Sequence, residues 1–229
     1  MIVFELKNKY KMLNNLGKQN SLFNQFIAEL RDEQIQKDSM RFRRNMERLG
    51  EIFAYELSKK MEFETKEITT SLGIAEVPVL KQQPVIASIL RAGLPFHMGL
   101  LSYFDKAENA FISAYRKHDK NGNFEIQIEY VSCPDITDKV LIIADPMLAT
   151  GASMIKTYKE LISYGKPKHT YFVSVLASTE GIDYVRKHSS ADVVSIWVGA
   201  VDSELTAQAY IVPCLGDAGD LSFGSKIQY

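Results

Sequence analysis

The chain is expected to fold as an α/β protein: a mostly parallel, twisted sheet flanked by helices, with an N-terminal helical segment and a protruding β-hairpin arm. Three observations predict this. After residue 80, short apolar runs alternate with helical stretches, the order that builds parallel strands with helices on both sides. The runs lack strict polar–apolar alternation, as strands buried on both faces do. Before residue 80, apolar residues recur instead at three- and four-residue steps, the spacing of one helix face.

The elements follow in order. Residues 21–36 read as a helix with Leu22, Phe26, Ile27 and Leu30 on one side and Ser21 as N-cap. Residues 39–61 read as a second, with Phe42, Met46, Leu49, Ile52, Phe53 and Leu57 as its apolar face. Neither carries a catalytic cluster, so packing and subunit contact are their expected roles. The whole of 1–80 is expected to be mainly helical. The strand candidates are 85–90, 110–115, 140–144, 171–177 and 193–201. The helices between them are 94–103, 153–164 closed by Gly165, and 180–188. Residues 124–131 differ: Phe-Glu-Ile-Gln-Ile-Glu-Tyr-Val alternates, and Asn121-Gly122 precedes it. Paired with 110–116 it makes an antiparallel hairpin, an arm spanning 110–132 that suits a lid. Residues 203–229 form a C-terminal loop region, and the 229 residues suit one domain.

Composition narrows the function. Lys plus Arg is 27 and Asp plus Glu is 28, a net charge of −1. That argues against a general nucleic-acid binder, which needs a basic surface. Two cysteines, Cys133 and Cys214, make no disulfide framework and no zinc motif, so a reduced, cytoplasmic setting is expected. No run of 18 apolar residues predicts a membrane partner, and the first residues do not read as a signal peptide.

In open parallel sheets, ligands sit beyond the carboxyl ends of strands. After 140–144 come Asp145, Pro146, Met147, Leu148, Ala149, Thr150, Gly151, Ala152 and Ser153, and then a helix. A strand ending in a carboxylate, a tight loop with hydroxyls and glycine, and a helix N-terminus together favour a bound phosphate. The carboxylate suits a sugar diol, because an ionised Asp accepts hydrogen bonds from two hydroxyls. Neither G-x-x-x-x-G-K-[ST] nor G-x-G-x-x-G is present. A Thr-Gly-x-Ser string alone also describes any capped strand-to-helix turn; the nine-residue segment in its context is more specific.

This segment resembles the phosphoribosyl diphosphate (PRPP) loop of type I phosphoribosyltransferases. Asp-Pro-Met-Leu-Ala-Thr-Gly is similar in particular to the uracil phosphoribosyltransferase branch, which also has proline where sister families carry a second acidic residue. Ile89-Leu90-Arg91-Ala92-Gly93-Leu94 resembles the branch's diphosphate loop. The resemblance implies that Arg91 forks onto the diphosphate and that a non-proline cis peptide lies near Leu90–Arg91. Tyr115-Arg116 resembles the pair whose arginine reaches the PRPP phosphates, with Lys117, His118 and Lys120 making the turn basic. His118 as an acid–base catalyst has no support beyond its position.

Tyr210-Ile-Val-Pro-Cys-Leu-Gly-Asp-Ala-Gly-Asp220 resembles the uracil-binding loop. By that resemblance Ile211, Gly216 and Ala218 contact uracil through backbone atoms. Asp217 borders both the base and the PRPP and metal side. Three positions depart from the pattern: Cys214 and Ala152 stand where the branch has glycine, and Leu221 where it has arginine. A Cβ at 214 is awkward if the branch's backbone has positive φ there, so Cys214 either takes an ordinary conformation or marks a slightly reshaped pocket. Further matches at Arg31-Asp32-Glu33, Phe42-Arg43 and 48–51 extend the resemblance over nearly the whole chain.

The resemblance implies a transferase: uracil plus PRPP gives UMP and diphosphate, a pyrimidine salvage step. Asp145, Asp217 and Arg91 are the expected catalytic residues. Mg²⁺ is expected as cofactor, held mainly by the PRPP diphosphate and water, with Asp217 as its protein-side group. GTP is carried as a candidate allosteric activator, and a homodimer or higher homo-oligomer is expected. A phosphoribosyltransferase for another base, and a regulatory uracil/UMP- or RNA-binding protein on the same fold, remain the alternatives.

Overall fold

The computed structural model describes residues 12–118 and 124–226, and side chains other than those of 115–126. The N-terminal part begins with a short strand, β1 (Leu13–Asn15), and helices α1 (Leu22–Arg31) and α2 (Ser39–Ser58). Ser21 caps α1 as expected, its hydroxyl accepting from the Phe23 N–H at 3.2 Å. The helix stops at Arg31 rather than 36. Asp32 is extended, and its carboxylate accepts from the Gln34 and Ile35 N–H groups at 2.8 and 3.0 Å, an Asx turn that competes with helix continuation.

Residues 63–80 correct the helical reading of the N-terminal segment. They form an antiparallel hairpin, β2 (Phe63–Thr70) and β3 (Gly73–Leu80), which among the described residues pairs only with itself.

The main sheet then builds up from β4 (Val85–Leu90), β5 (Glu108–His118), β6 (Phe124–Ser132), β7 (Val140–Ala144), β8 (Met147–Leu148), β9 (His169–Ser178) and β10 (Val194–Asp202). Its spatial order is β1-β10-β9-β7-β4-β5-β6, with β8 pairing on β9. Every pairing is parallel except β5 with β6, the expected hairpin arm, which carries a bulge between Ser113 and Ala114. The proposed turn at Asn121-Gly122, with Lys120, lies outside the described residues. Helices α3 (Leu94–Tyr103), α4 (Ala152–Leu161) and α5 (Thr179–His188) sit where the sequence places them. A short α6 (Ala218–Phe223) closes the chain, beyond a small ribbon of β11 (Glu204–Leu205) and β12 (Ile211–Val212).

The sheet has a core on each face, because its strand residues point alternately to the two sides. Ile86, Ile142, Val173 and Val175 pack with Phe23, Phe42, Phe53 and Phe96 from α1–α3. Val85, Ala87, Leu141 and Ile143 pack with Met154, Ile155, Ile182 and Val185 from α4 and α5. Burial on both faces explains why these strands read as unbroken apolar runs. It also fixes the strand ends from which the cleft is built.

Candidate active site

Chain order reverses around β4: β5 lies on one side of it and β7 on the other. At such a switch point the loops leaving the carboxyl ends diverge and open a crevice. A cleft of about 400 Å³ lies here, within the usual range for a small-molecule site. Arg91 leaves β4 and Asp145 leaves β7, and both line it.

The 145–153 segment forms its floor. The Asp145 N–H donates to the Val173 carbonyl at 3.1 Å, and its carboxylate accepts from the Met147 N–H at 3.2 Å. Gly151, at φ +80°, turns the chain into α4, whose first N–H groups have no partner within the helix. The loop is braced from α5. The Ser178 hydroxyl donates to the Ala149 carbonyl at 2.5 Å while accepting the Gly181 N–H at 2.8 Å. A Cβ at Gly181 would lie 2.3 Å from that same carbonyl, so only glycine permits the approach.

The 211–220 segment forms the opposite wall. Ile211, Gly216, Asp217 and Ala218 all line the cleft. Gly216 has φ +95° and nothing within 4 Å of where a Cβ would stand, so its backbone faces open space. Cys214 is buried at φ +34° and follows a cis Val212–Pro213 bond. The positive φ excludes an ordinary conformation at this position: Cys214 is held in the left-handed region that favours glycine. Leu90–Arg91 is a non-proline cis peptide, as expected.

Charge is arranged across the mouth. Arg91 donates to the Asp220 carboxylate at 2.9 Å and to the Gly224 carbonyl at 3.1 Å. The Lys226 ammonium reaches Asp217 at 2.7 Å and Asp220 at 3.3 Å. Burial works against the Asp217 charge. Hydrogen bonds from Lys226 and from the Asp220 and Gly219 N–H groups outweigh it and hold the carboxyl below its ordinary range.

Twelve of the residues named from the sequence therefore meet around one cleft: Arg91, Asp145, Met147, Leu148, Ala149, Thr150, Gly151, Ser153, Ile211, Gly216, Asp217 and Ala218. Pro146 and Ala152 are not on its wall. Pro146 is buried and its carbonyl accepts from the Leu176 N–H at 2.9 Å; Ala152 opens α4. Arg116 lies on β5 opposite Ile126, and its side chain, like those of Lys117 and His118, lies outside the described residues. Sequence reasoning missed Lys226, which lines the cleft from beyond α6; its cation lies outside every motif.

The family model described as uracil phosphoribosyltransferase matches residues 18–225. The chain belongs to the uracil phosphoribosyltransferase family. It is 54% identical over 213 residues to the uracil phosphoribosyltransferase of Porphyromonas gingivalis, covering 93% of this chain and 98% of that one. To the one from Pyrococcus furiosus it is 38% identical over 207 residues, 89% of this chain and 87% of that. Among solved structures, the AQ2163 protein from Aquifex aeolicus superimposes with a TM-score of 0.83 at 29% identity, covering 95% of this chain and all of that one.

Proposed function

We propose that the protein transfers the phosphoribosyl group of PRPP to N1 of uracil, releasing UMP and diphosphate in pyrimidine salvage. One observation carries this reading. A phosphate-type loop with a carboxylate at its start faces an open backbone segment across a single cleft. The names of the curated relatives support it.

In this reading the α4 N-terminus, with Thr150 and Ser153, holds the 5′-phosphate. Asp145 accepts hydrogen bonds from the ribose hydroxyls. Arg91 exchanges Asp220 for the diphosphate, joined by Arg116 from the hairpin arm, which closes over the site and limits hydrolysis. The donor set suits magnesium held mainly by substrate: Asp217 lines the cleft. Among the described residues no cluster of three or more His, Cys, Asp or Glu side chains forms a protein cage. Magnesium bound there with PRPP would supply neutralisation of the charge on the leaving diphosphate. Asp217, ionised at neutral pH, accepts the uracil N1 proton through water.

Base choice follows from Ile211, Gly216 and Ala218. Uracil presents two carbonyl acceptors flanking an N3–H, which two backbone N–H groups and one carbonyl match. Cytosine turns O4 into an amino donor and leaves desolvated donors facing each other.

A homodimer fits the β2–β3 hairpin, which among the described residues is paired only with itself and leaves Leu72 98% and Ile74 71% exposed. A lone two-stranded hairpin is marginal in water, and a second copy would cover its apolar side chains. Light scattering after gel filtration reads the mass. Both cysteines are free, which fits a reducing cytoplasm. GTP is a candidate allosteric activator, and adding it to the assay tests that.

The test is labelled uracil with PRPP and Mg²⁺. UMP is the expected product; folded protein that makes none overturns the reading. A panel of other nucleobases separates the second phosphoribosyltransferase reading.

A further inference from the structure

Cys214 stands in the left-handed region, where a Cβ crowds the backbone. What holds it there comes from two distant parts of the chain. Arg31, the last residue of α1, and Asp202, the last of β10, form a fork-to-fork ion pair, with Nη1 and Nη2 each 2.9 Å from a carboxylate oxygen. Both side chains are largely shielded, 23% and 10% exposed. The same pair takes both backbone polar groups of residue 214. The Cys214 N–H donates to Asp202 Oδ2 at 3.2 Å, and Arg31 Nη1 donates to the Cys214 carbonyl at 3.3 Å. The orientation of the peptide units around residue 214 is thus set by one planar guanidinium–carboxylate unit.

The Cys214 side chain completes the arrangement. Its sulfur lies 3.7 Å from the Met147 sulfur, and Met147 belongs to the phosphate loop and lines the cleft. Burial pushes the Cys214 thiol up to about 12, so it acts as a neutral, space-filling group. Residue 214 therefore joins the two walls, and Gly216 follows two positions later. None of Arg31, Asp202 and Cys214 lines the cleft.

We infer that Arg31 and Asp202 are positioning residues for base selection. Their ion pair holds Cys214 in its left-handed conformation and so sets where the backbone of Ile211 and Gly216 meets the base. The inference rests on the uracil reading proposed above and adds a specificity device to it. Arg31→Lys keeps the charge and loses the fork. Asp202→Asn keeps an acceptor and loses the charge.

The experiment measures KM for uracil, KM for PRPP, kcat and Tm for wild type, Arg31→Lys, Asp202→Asn, Cys214→Gly and each combination with Cys214→Gly. Each clamp variant alone is expected to raise KM for uracil about tenfold, with KM for PRPP within about twofold and a reduced preference for uracil over cytosine. Glycine takes positive φ freely, so Cys214→Gly in the same chain is expected to recover most of the uracil KM and to shrink the loss of Tm. Equal rises in both KM values overturn the inference, and so do clamp effects of the same size with and without Cys214→Gly. Should Arg31→Lys not fold, Asp202→Asn carries the same expectations. The uracil reading fails separately, if wild type makes no UMP. The clamp is then judged by the Tm cycle, where additive losses overturn it.

Discussion

The two walls of the cleft are held in different ways. The phosphate loop, 145–153, takes its shape from its neighbours: the strand before it, the helix after it, and Ser178 and Gly181 at the start of the next helix. The base loop, 211–220, has little regular structure of its own beyond β12 and the start of α6. It is fixed through Arg31 and Asp202, which are 171 positions apart in sequence. One wall is a local device of a kind that recurs wherever a strand meets a helix N-terminus. The other depends on the assembled fold and meets the phosphate side at the Cys214–Met147 contact.

Substitutions that spare one wall should break this comparison cleanly. Asp145→Asn, which keeps the shape of the floor but removes the charge proposed to meet the ribose, is expected to have the largest effect. It should lower kcat/KM by about 100-fold, the scale of lost charge-assisted hydrogen bonds, with Tm little changed. An Asp145→Asn enzyme as active as wild type would remove the diol role. Gly181→Ala comes next. Its methyl would stand 2.3 Å from the Ala149 carbonyl, forcing the phosphate loop outward. The expected result is a loss of about 1–3 kcal/mol by overpacking and a rise in KM confined to PRPP. Gly216→Ala is the mirror experiment. The added methyl meets no protein atom within 4 Å, so stability should fall only by about 1–2 kcal/mol for a Cβ at positive φ. The KM for uracil should rise while that for PRPP holds. Steady-state kinetics with each substrate varied in turn checks both; a shared pattern would erase the division between the walls.

The smallest effect concerns the scaffold beneath the base loop. Hydrogen bonds from Arg41 and then Asn45 hold the Glu29 carboxyl at about 2, below its ordinary 4.5. A carboxyl lowered by folding contributes stability that is complete above its unfolded value. That stability is lost as pH falls through the folded one. Tm should therefore decline between about pH 4.5 and 2, and Glu29→Gln should flatten that part of the profile. An unchanged acid limb in the variant would show that the ion pair on these helices adds nothing.

The sequence reveals most where a residue's neighbours in space are its neighbours in the chain. Strands 85–90 and 140–144 emerge with their boundaries intact because both faces are buried and every side chain but the small Ser88 is apolar. The hairpin at 63–80 stays hidden for the opposite reason: most of its side chains are exposed, so no buried face leaves a period of two. The 145–153 loop is legible as a phosphate site from its own letters. Its braces at Ser178 and Gly181 are not, since a cap serine and a helical glycine look ordinary until the Ala149 carbonyl is placed against them. The base loop is recognised only by resemblance, and its dependence on Arg31 and Asp202 has no local signature. Lys226 likewise acquires meaning only when α6 brings it onto Asp217.

Backbone readout of the base is tested most directly by the ratio of kcat/KM for uracil to that for cytosine, with PRPP and Mg²⁺ held constant. A site built from fixed hydrogen-bonding groups predicts a ratio on the order of 10⁴ in favour of uracil. Comparable turnover of the two bases would contradict it.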